Sequence, residues 1–310
     1  MHGRLVLALA LACMAFPGPA RAASLPAVVT LLEGEASLVR GTARYALAEG
    51  VRIQPGDIVE LPAKALVEIE FADGVQLGLG PEVRVLFQAS PAQGGKTPLV
   101  DLYFLRGWMK VTGAKGAAPA RLGSPLASLT VSDATAVARF DAGELAVFAE
   151  SGEVAVSEWA GKGPAPAQRL KAGEFYARKG EQKGTVAPRV APAFVSAMPV
   201  SFRDNLPSRA EKFRARDVAP KRLGEVSYAE VEPWLKAPLD VRRPLVRQLT
   251  PRIADAEFRG ALVANLRAHP EWDPILFPEK YKPKVDEKAQ ADAEAKAEEK
   301  APGGSRAPAR

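Results

Sequence analysis

The segment Leu66-Val67-Glu68-Ile69-Glu70-Phe71, followed at once by Ala72-Asp73-Gly74-Val75, constrains the fold more than any other part of the chain. Apolar and acidic residues alternate along it, which is the period of a strand with one face buried and the other in water. Val67, Ile69 and Phe71 are expected on the buried face, and Glu68 and Glu70 on the solvent face. Asp-Gly readily supplies the positive φ values of a two-residue hairpin, so the chain is expected to reverse at Asp73-Gly74. Residues 75–79 then form the return strand.

The pattern recurs. Residues 28–32, 83–87, 99–105, 108–111, 126–131, 136–140, 145–148 and 154–156 are short apolar runs bounded by Gly, Pro or Asp. Twenty-seven prolines and 26 glycines suit a protein of short strands and turns. Such runs predict an all-β domain over residues 27–180, built as a short-strand solenoid or sandwich-like fold. Gly34-Glu35-Ala36-Ser37-Leu38-Val39 also echoes Gly152-Glu153-Val154-Ala155-Val156. Each copy leads to a closing turn, Ile53-Gln54-Pro55-Gly56-Asp57 or Leu170-Lys171-Ala172-Gly173-Glu174, so a weak internal repeat is expected.

These residues carry a family resemblance. Glu33-Gly34-Glu35-Ala36, Pro55-Gly56-Asp57, residues 67–71, Ala72-Asp73-Gly74 and Leu79-Gly80-Pro81 resemble a FecR-type periplasmic domain, and Glu150 to Val154 with Leu170 to Glu174 resemble its second half. The resemblance spans roughly residues 27–180 and implies a non-catalytic, exported β domain used in sensing and protein contacts. The family's founding members are anti-sigma regulators with a cytoplasmic helical region and a transmembrane segment before the β domain. Here a signal peptide stands in that place, so direct anti-sigma activity is not expected.

The signal peptide is read from Arg4, the apolar run from Leu5 to Phe16, and the cleavage site Ala20-Arg21-Ala22. The run is too short for a helix that must cross a hydrocarbon core with about 20 residues. A lipoprotein signal ending at Cys13 is the rival reading, but Ala10 stands where Leu is usual. Cleavage after Ala22 places the mature chain in the periplasm or outside the cell. It also removes Cys13 and His2, leaving His269 as the single imidazole and no thiol. A zinc site takes three or four Cys, His or carboxylate ligands, and with no thiol and one imidazole no metal or cofactor is expected. His269 precedes Pro270 at a helix end and reads as a C-terminal cap, not a catalytic base. Gly94-Gly95-Lys96-Thr97 lacks the glycine spacing of a phosphate loop. The formal charge of +6 falls to +4 without Arg4 and Arg21 and is spread among acidic residues, so no nucleic-acid partner is expected.

Residues 181–202 read as a Pro-rich linker, 203–278 as a small helical module and 279–310 as a disordered Lys/Glu/Ala tail. Ser208-x-x-Glu211 and Ser227-x-x-Glu230 have the form of capping boxes, and Asp255 caps a helix carrying Phe258, Leu262 and Leu266 on one stripe. Trp234, Arg242, Arg243, Arg247, Trp272 and Phe277 are the candidate partner-binding residues, since Trp and Arg dominate interface hot spots. The alternative for Trp272 and Phe277 is a hydrophobic latch, and for the arginines a solvated face. The reading is a non-enzymatic exported binding or scaffold protein, accessory to envelope sensing, with an envelope protein or a cell-wall glycan as partner. The alternative is a cell-wall glycan hydrolase or glycan-binding protein, with Glu68, Glu70 and Asp73 as its carboxylates.

Overall fold

The computed structural model describes residues 27–89, 100–160 and 163–282. The expected signal peptide with Cys13, the loop Gly94 to Thr97 and the tail beyond Lys282 lie outside the described residues. The chain divides into two compact units, one up to Gln248 and one from Leu249 onward.

The first unit is a curled, mainly antiparallel half-barrel whose strands form two layers. In one layer, beyond the short edge strand Arg52–Ile53 that pairs with Ala27–Glu33, the order follows the sequence: Ala27–Glu33, Leu66–Phe71, Gln76–Leu79, the second half of Asp101–Thr112, Thr135–Asp141, Glu144–Ser151, Phe175–Lys179 and Thr185–Ala187. In the other, Lys221–Glu225 pairs Ala43–Ala46, followed by Ser37–Arg40, Ile58–Glu60, Arg84–Phe87, the first half of Asp101–Thr112, Ala120–Gly123, Ala127–Val131, Glu153–Ala160 and Gln168–Lys171. The strand Asp101–Thr112 thus belongs to both layers. It turns the corner at Gly107, whose φ is +100°. A Cβ there would sit 2.4 Å from Val83 Cα, so only glycine fits.

The core lies between the layers. Val67, Ile69 and Phe71 point into it as their alternation predicts, with Leu77, Leu79, Val85, Leu102, Phe104, Met109 and Val111. The reversal after Phe71 differs from the expected two-residue turn. Phe71 N–H donates to Val75 O at 2.9 Å and Gly74 alone takes positive φ, which makes a three-residue loop. Asp73 Oδ1 accepts from Val75 N–H at 3.2 Å, a turn role that accounts for this carboxylate.

The internal repeat exists in geometry as well as sequence. Gly34 and Gly152 both have positive φ and each precedes a strand of the second layer. In the closing turns, Asp57 Oδ2 accepts from Gln54 N–H at 2.7 Å, and Glu174 Oε2 accepts from Lys171 N–H at 2.8 Å. Asp57 is buried and also holds Arg40, whose Nε donates to Oδ1 at 2.9 Å.

Residues 181–202, expected as a linker, hold the strand Thr185–Ala187 and the helix Pro192–Ala197. Phe194 stacks on Trp108 and Phe175 at centroid distances of 4.9 and 5.1 Å, and Phe202 is buried beside them. Three aromatic side chains outweigh the absence of any hydrophobic period in that stretch. The expected helical module is likewise divided. Its residues up to Gln248 belong to the β unit, where Lys221–Glu225 adds a strand. Helix Tyr228–Leu235 starts with a true capping box at Ser227 and Glu230, and helix Leu239–Leu249 follows. Ser208, expected to cap a helix, instead donates to Glu70.

In the second unit, Asp255 Oδ1 accepts from Phe258 N–H at 2.8 Å and caps helix Ala256–Ala264, which buries Phe258 and Leu262. That helix stops with Asn265 as its C-cap, so Leu266 falls in the 3-10 turn Leu266–Ala268, and the buried His269 ends this turn through its backbone N–H, which donates to Leu266 O at 3.2 Å, in place of the ring cap expected on the helix. Trp272 and Leu276 are buried, and Arg259 Nη2 donates to Leu276 O at 3.2 Å. The tail was expected to begin at residue 279, but Tyr281 closes the turn Pro278–Tyr281 by donating to Asp273 Oδ2 at 2.5 Å.

Candidate functional site

A recess of about 470 Å³ opens on the outer side of the second layer of the first unit. Its base is set by strand parity. Along Asp101–Thr112, Leu102 and Phe104 enter the core, so Asp101 and Tyr103 face the other way. Ala120–Gly123 runs parallel beside them and places Arg121 against Asp101 and Gly123 against Tyr103. Arg121 clamps Asp101 with two hydrogen bonds, Nε to Oδ1 at 3.2 Å and Nη2 to Oδ2. A Cβ on Gly123 would come within 2.7 Å of Tyr103 Cδ2, so glycine lets the phenol ring lie close over the strand. The Tyr103 hydroxyl is buried and makes no hydrogen bond. Burial, with Asp240 adding to it, pushes this phenol far above its ordinary range, so it is a protonated donor at any physiological pH.

Trp159 forms the wall. Along Glu153–Ala160, Val154 and Val156 are buried, which leaves Trp159 on the outward phase, 37% exposed. Its indole is not loose. Nε1 donates to Ser124 O at 2.7 Å, and the buried Ser124 hydroxyl donates to Ala127 O at 2.8 Å. The polar edge is therefore satisfied and the ring is held in place. Pro125, Pro164 and Pro238 flank the opening, and Asp240 and Val241 enter from the first turn of helix Leu239–Leu249.

A second feature lies on the other layer. Glu68 and Glu70, expected in water, are covered by residues 201–209. Glu70 is buried; Oε1 accepts from Arg209 N–H at 2.7 Å and Oε2 accepts from the Ser208 hydroxyl. Lys110 is also buried, and its Nζ donates to Phe202 O at 2.8 Å, to Asp204 O at 3.3 Å and to Glu150, paired at 3.0 Å. Gly78 lies between Glu68 and Phe202, where a Cβ would be 2.9 Å from Glu68 Oε1 and 3.0 Å from Phe202 Cε1. Burial raises the Glu68 carboxyl to about 7; Lys110 and Arg209 oppose the rise and Glu70 adds to it. The cavity at this cluster is about 20 Å³, room for a single water and not for a sugar.

The residues singled out from sequence are dispersed. Trp234 is fully buried in the first unit and donates from Nε1 to Glu60 Oε1 at 3.2 Å; Trp272 is fully buried in the second. Both are core residues in place of contact surface, because an indole's area is best removed from water where neighbours surround it. Phe277 is half-buried with Lys280 Nζ 4.1 Å above its ring. Arg242 is half-buried and donates to Ala237 O at 3.2 Å, whereas Arg243 and Arg247 stand exposed at i, i+4 on one helix face. Among the described residues, no group of three or more His, Cys, Asp or Glu side chains is placed to hold a metal ion. No helix among them is long and apolar enough to cross a membrane.

No protein-family model matches the chain. No curated protein matches it. Two solved structures of a candidate anti-sigma factor from Parabacteroides distasonis are similar to part of it. One is 13% identical with a TM-score of 0.35, covering 43% of this chain and 59% of that one. The other is 14% identical with a TM-score of 0.35, covering 45% and 64%. The chain therefore spans less than two thirds of the length of either.

Proposed function

We propose that this is a non-enzymatic, exported binding protein of the cell envelope, and that the recess walled by Trp159 and Tyr103 is its contact surface. The reading is carried by one observation: a pinned, outward-facing indole beside a buried hydroxyl that has no partner, in a concavity of ligand size. The signal peptide read from residues 1–22 and the FecR-like turn motifs support export and a sensing role. Against the hydrolase alternative, Asp73 is engaged by its own turn and the Glu68–Glu70 pair has no room for a glycan. Arg243 and Arg247 offer a second, basic contact face on the same unit.

The test places a photo-crosslinking residue at Ser128, at the recess, in the tagged protein expressed in its own cells. Discrete protein adducts in the envelope fraction, lost on Trp159→Ala, are the expected result. Adducts unchanged by that substitution, or turnover of cell-wall glycan that depends on Glu68, overturn the reading. Mass spectrometry of the mature N-terminus is expected to begin at Ala23, and a lipid on Cys13 would replace the soluble placement with an anchored one.

A further inference from the structure

We infer that the Trp159 recess recognises a basic side chain, arginine or lysine, presented by an extended, proline-flanked segment of a partner protein. This rests on the recess being the contact surface proposed above and adds the chemistry of what enters it. Three ionised side chains line the recess, and two of them cancel: Arg121 is engaged by both Asp101 oxygens, and Asp101 is 9% exposed. Asp240 is exposed and makes no ion pair with any described residue. An anionic ligand would therefore meet a carboxylate with no uncommitted cation to offset it. A cation finds Asp240 and the partly exposed indole of Trp159 lining the same recess, and tryptophan is the best aromatic partner for a cation.

The shape selects an extended chain. Pro125, Pro164 and Pro238 are exposed around the opening and with Trp159 make an apolar rim, the kind of surface on which an extended, proline-containing segment packs with little loss of freedom. Gln88 and Ser128 supply side-chain donors and acceptors for its main chain. Asp240 also has a local role, since a carboxylate in the first turn of a helix is favourable. That role does not require it to face a recess beside Trp159, so the two placements are independent.

The experiment titrates the purified full-length protein with Ac-Ala-Pro-Arg-Pro-Ala-NH2 and with the same peptide carrying Glu for Arg, by calorimetry and by tryptophan fluorescence. Trp108, Trp234 and Trp272 are buried, so the fluorescence change is expected from Trp159 and is assigned to it by its loss in Trp159→Leu. The arginine peptide is expected to bind, more weakly as salt is raised, and the glutamate peptide is not. Asp240→Asn, an exposed substitution that leaves packing intact, is expected to weaken binding by about three- to tenfold, and Trp159→Leu by at least as much. Equal binding of both peptides, no binding of either, or unchanged affinity in Asp240→Asn overturns the inference. If crosslinking at Ser128 still captures a Trp159-dependent partner when the peptides fail, the contact surface stands and only its basic-ligand chemistry falls. If both fail, the contact surface itself is refuted.

Discussion

Replacing Glu68 by Gln is expected to stabilise the protein at and above neutral pH and to leave it unchanged in acid. Burial raises this carboxyl from 4.5 to about 7. Between those values the folded protein holds a proton that the unfolded chain has released. Stability therefore falls as pH rises through that window and levels off above the folded value. A difference of about 2.5 units corresponds to about 3 kcal/mol. The side chain is only partly shielded from water, so screening reduces the measurable effect to about 1–2 kcal/mol. Glutamine keeps the shape and removes the titration. Urea unfolding of both proteins between pH 4.5 and 8 reads the difference curve directly, which cancels the other raised carboxyls, Asp57 and Glu60. The variant is expected to match wild type at the acid end and to exceed it at pH 8, a melting-temperature gain of about 2–8 °C. Parallel curves, or a variant less stable at pH 8, would show that Glu68 is not held near Glu70 in a poorly hydrated place.

Three other substitutions probe separate parts of the argument. Lys110→Met removes the cation that gathers the Phe202 and Asp204 carbonyls and Glu150; a loss of about 3 kcal/mol is expected, with limited proteolysis cutting first within residues 203–209. Gly107→Ala places a methyl group against Val83 backbone at positive φ, and no soluble, cooperatively melting protein is expected on expression. Ser227→Ala deletes the capping box of helix Tyr228–Leu235 and is expected to cost about 1 kcal/mol in urea unfolding, recovered in part by Ser227→Asp.

The β architecture was legible because alternation and turn glycines are local signals. The strand Leu66–Phe71, the reversal near Gly74 and the paired closing turns at Asp57 and Glu174 all follow from neighbouring residues. What alternation cannot show is what covers the outer face. Glu68 and Glu70 occupy the non-core phase as expected, yet Ser208, 138 residues along the chain, folds over and donates to Glu70. Phe194 and Phe202 were overlooked because a proline-rich stretch with isolated aromatics has no period to detect. The recess had one readable sign. Trp159 falls on the outward phase of a strand whose inward phase is Val154 and Val156, which places an indole on the outer side of the layer. Tyr103 had none, since it is buried beside segments distant in sequence, such as Pro238 to Val241, that line the same recess.

The strand Lys221–Glu225 pairs with Ala43–Ala46, two segments separated by most of the first unit's sequence. Until the later one arrives, a chain emerging from its N-terminus presents the row of amides and carbonyls on Ala43–Ala46 as an open edge, the geometry that recruits strands from other molecules. Pairing replaces that edge with Lys221–Glu225 itself, whose exposed Lys221, Arg222 and Glu225 are charged side chains of the kind that discourage a further strand from adding. A chain interrupted before residue 221 would keep Ala43–Ala46, with Arg44 as its single charge, as the outer strand, an edge more open to strands from other molecules.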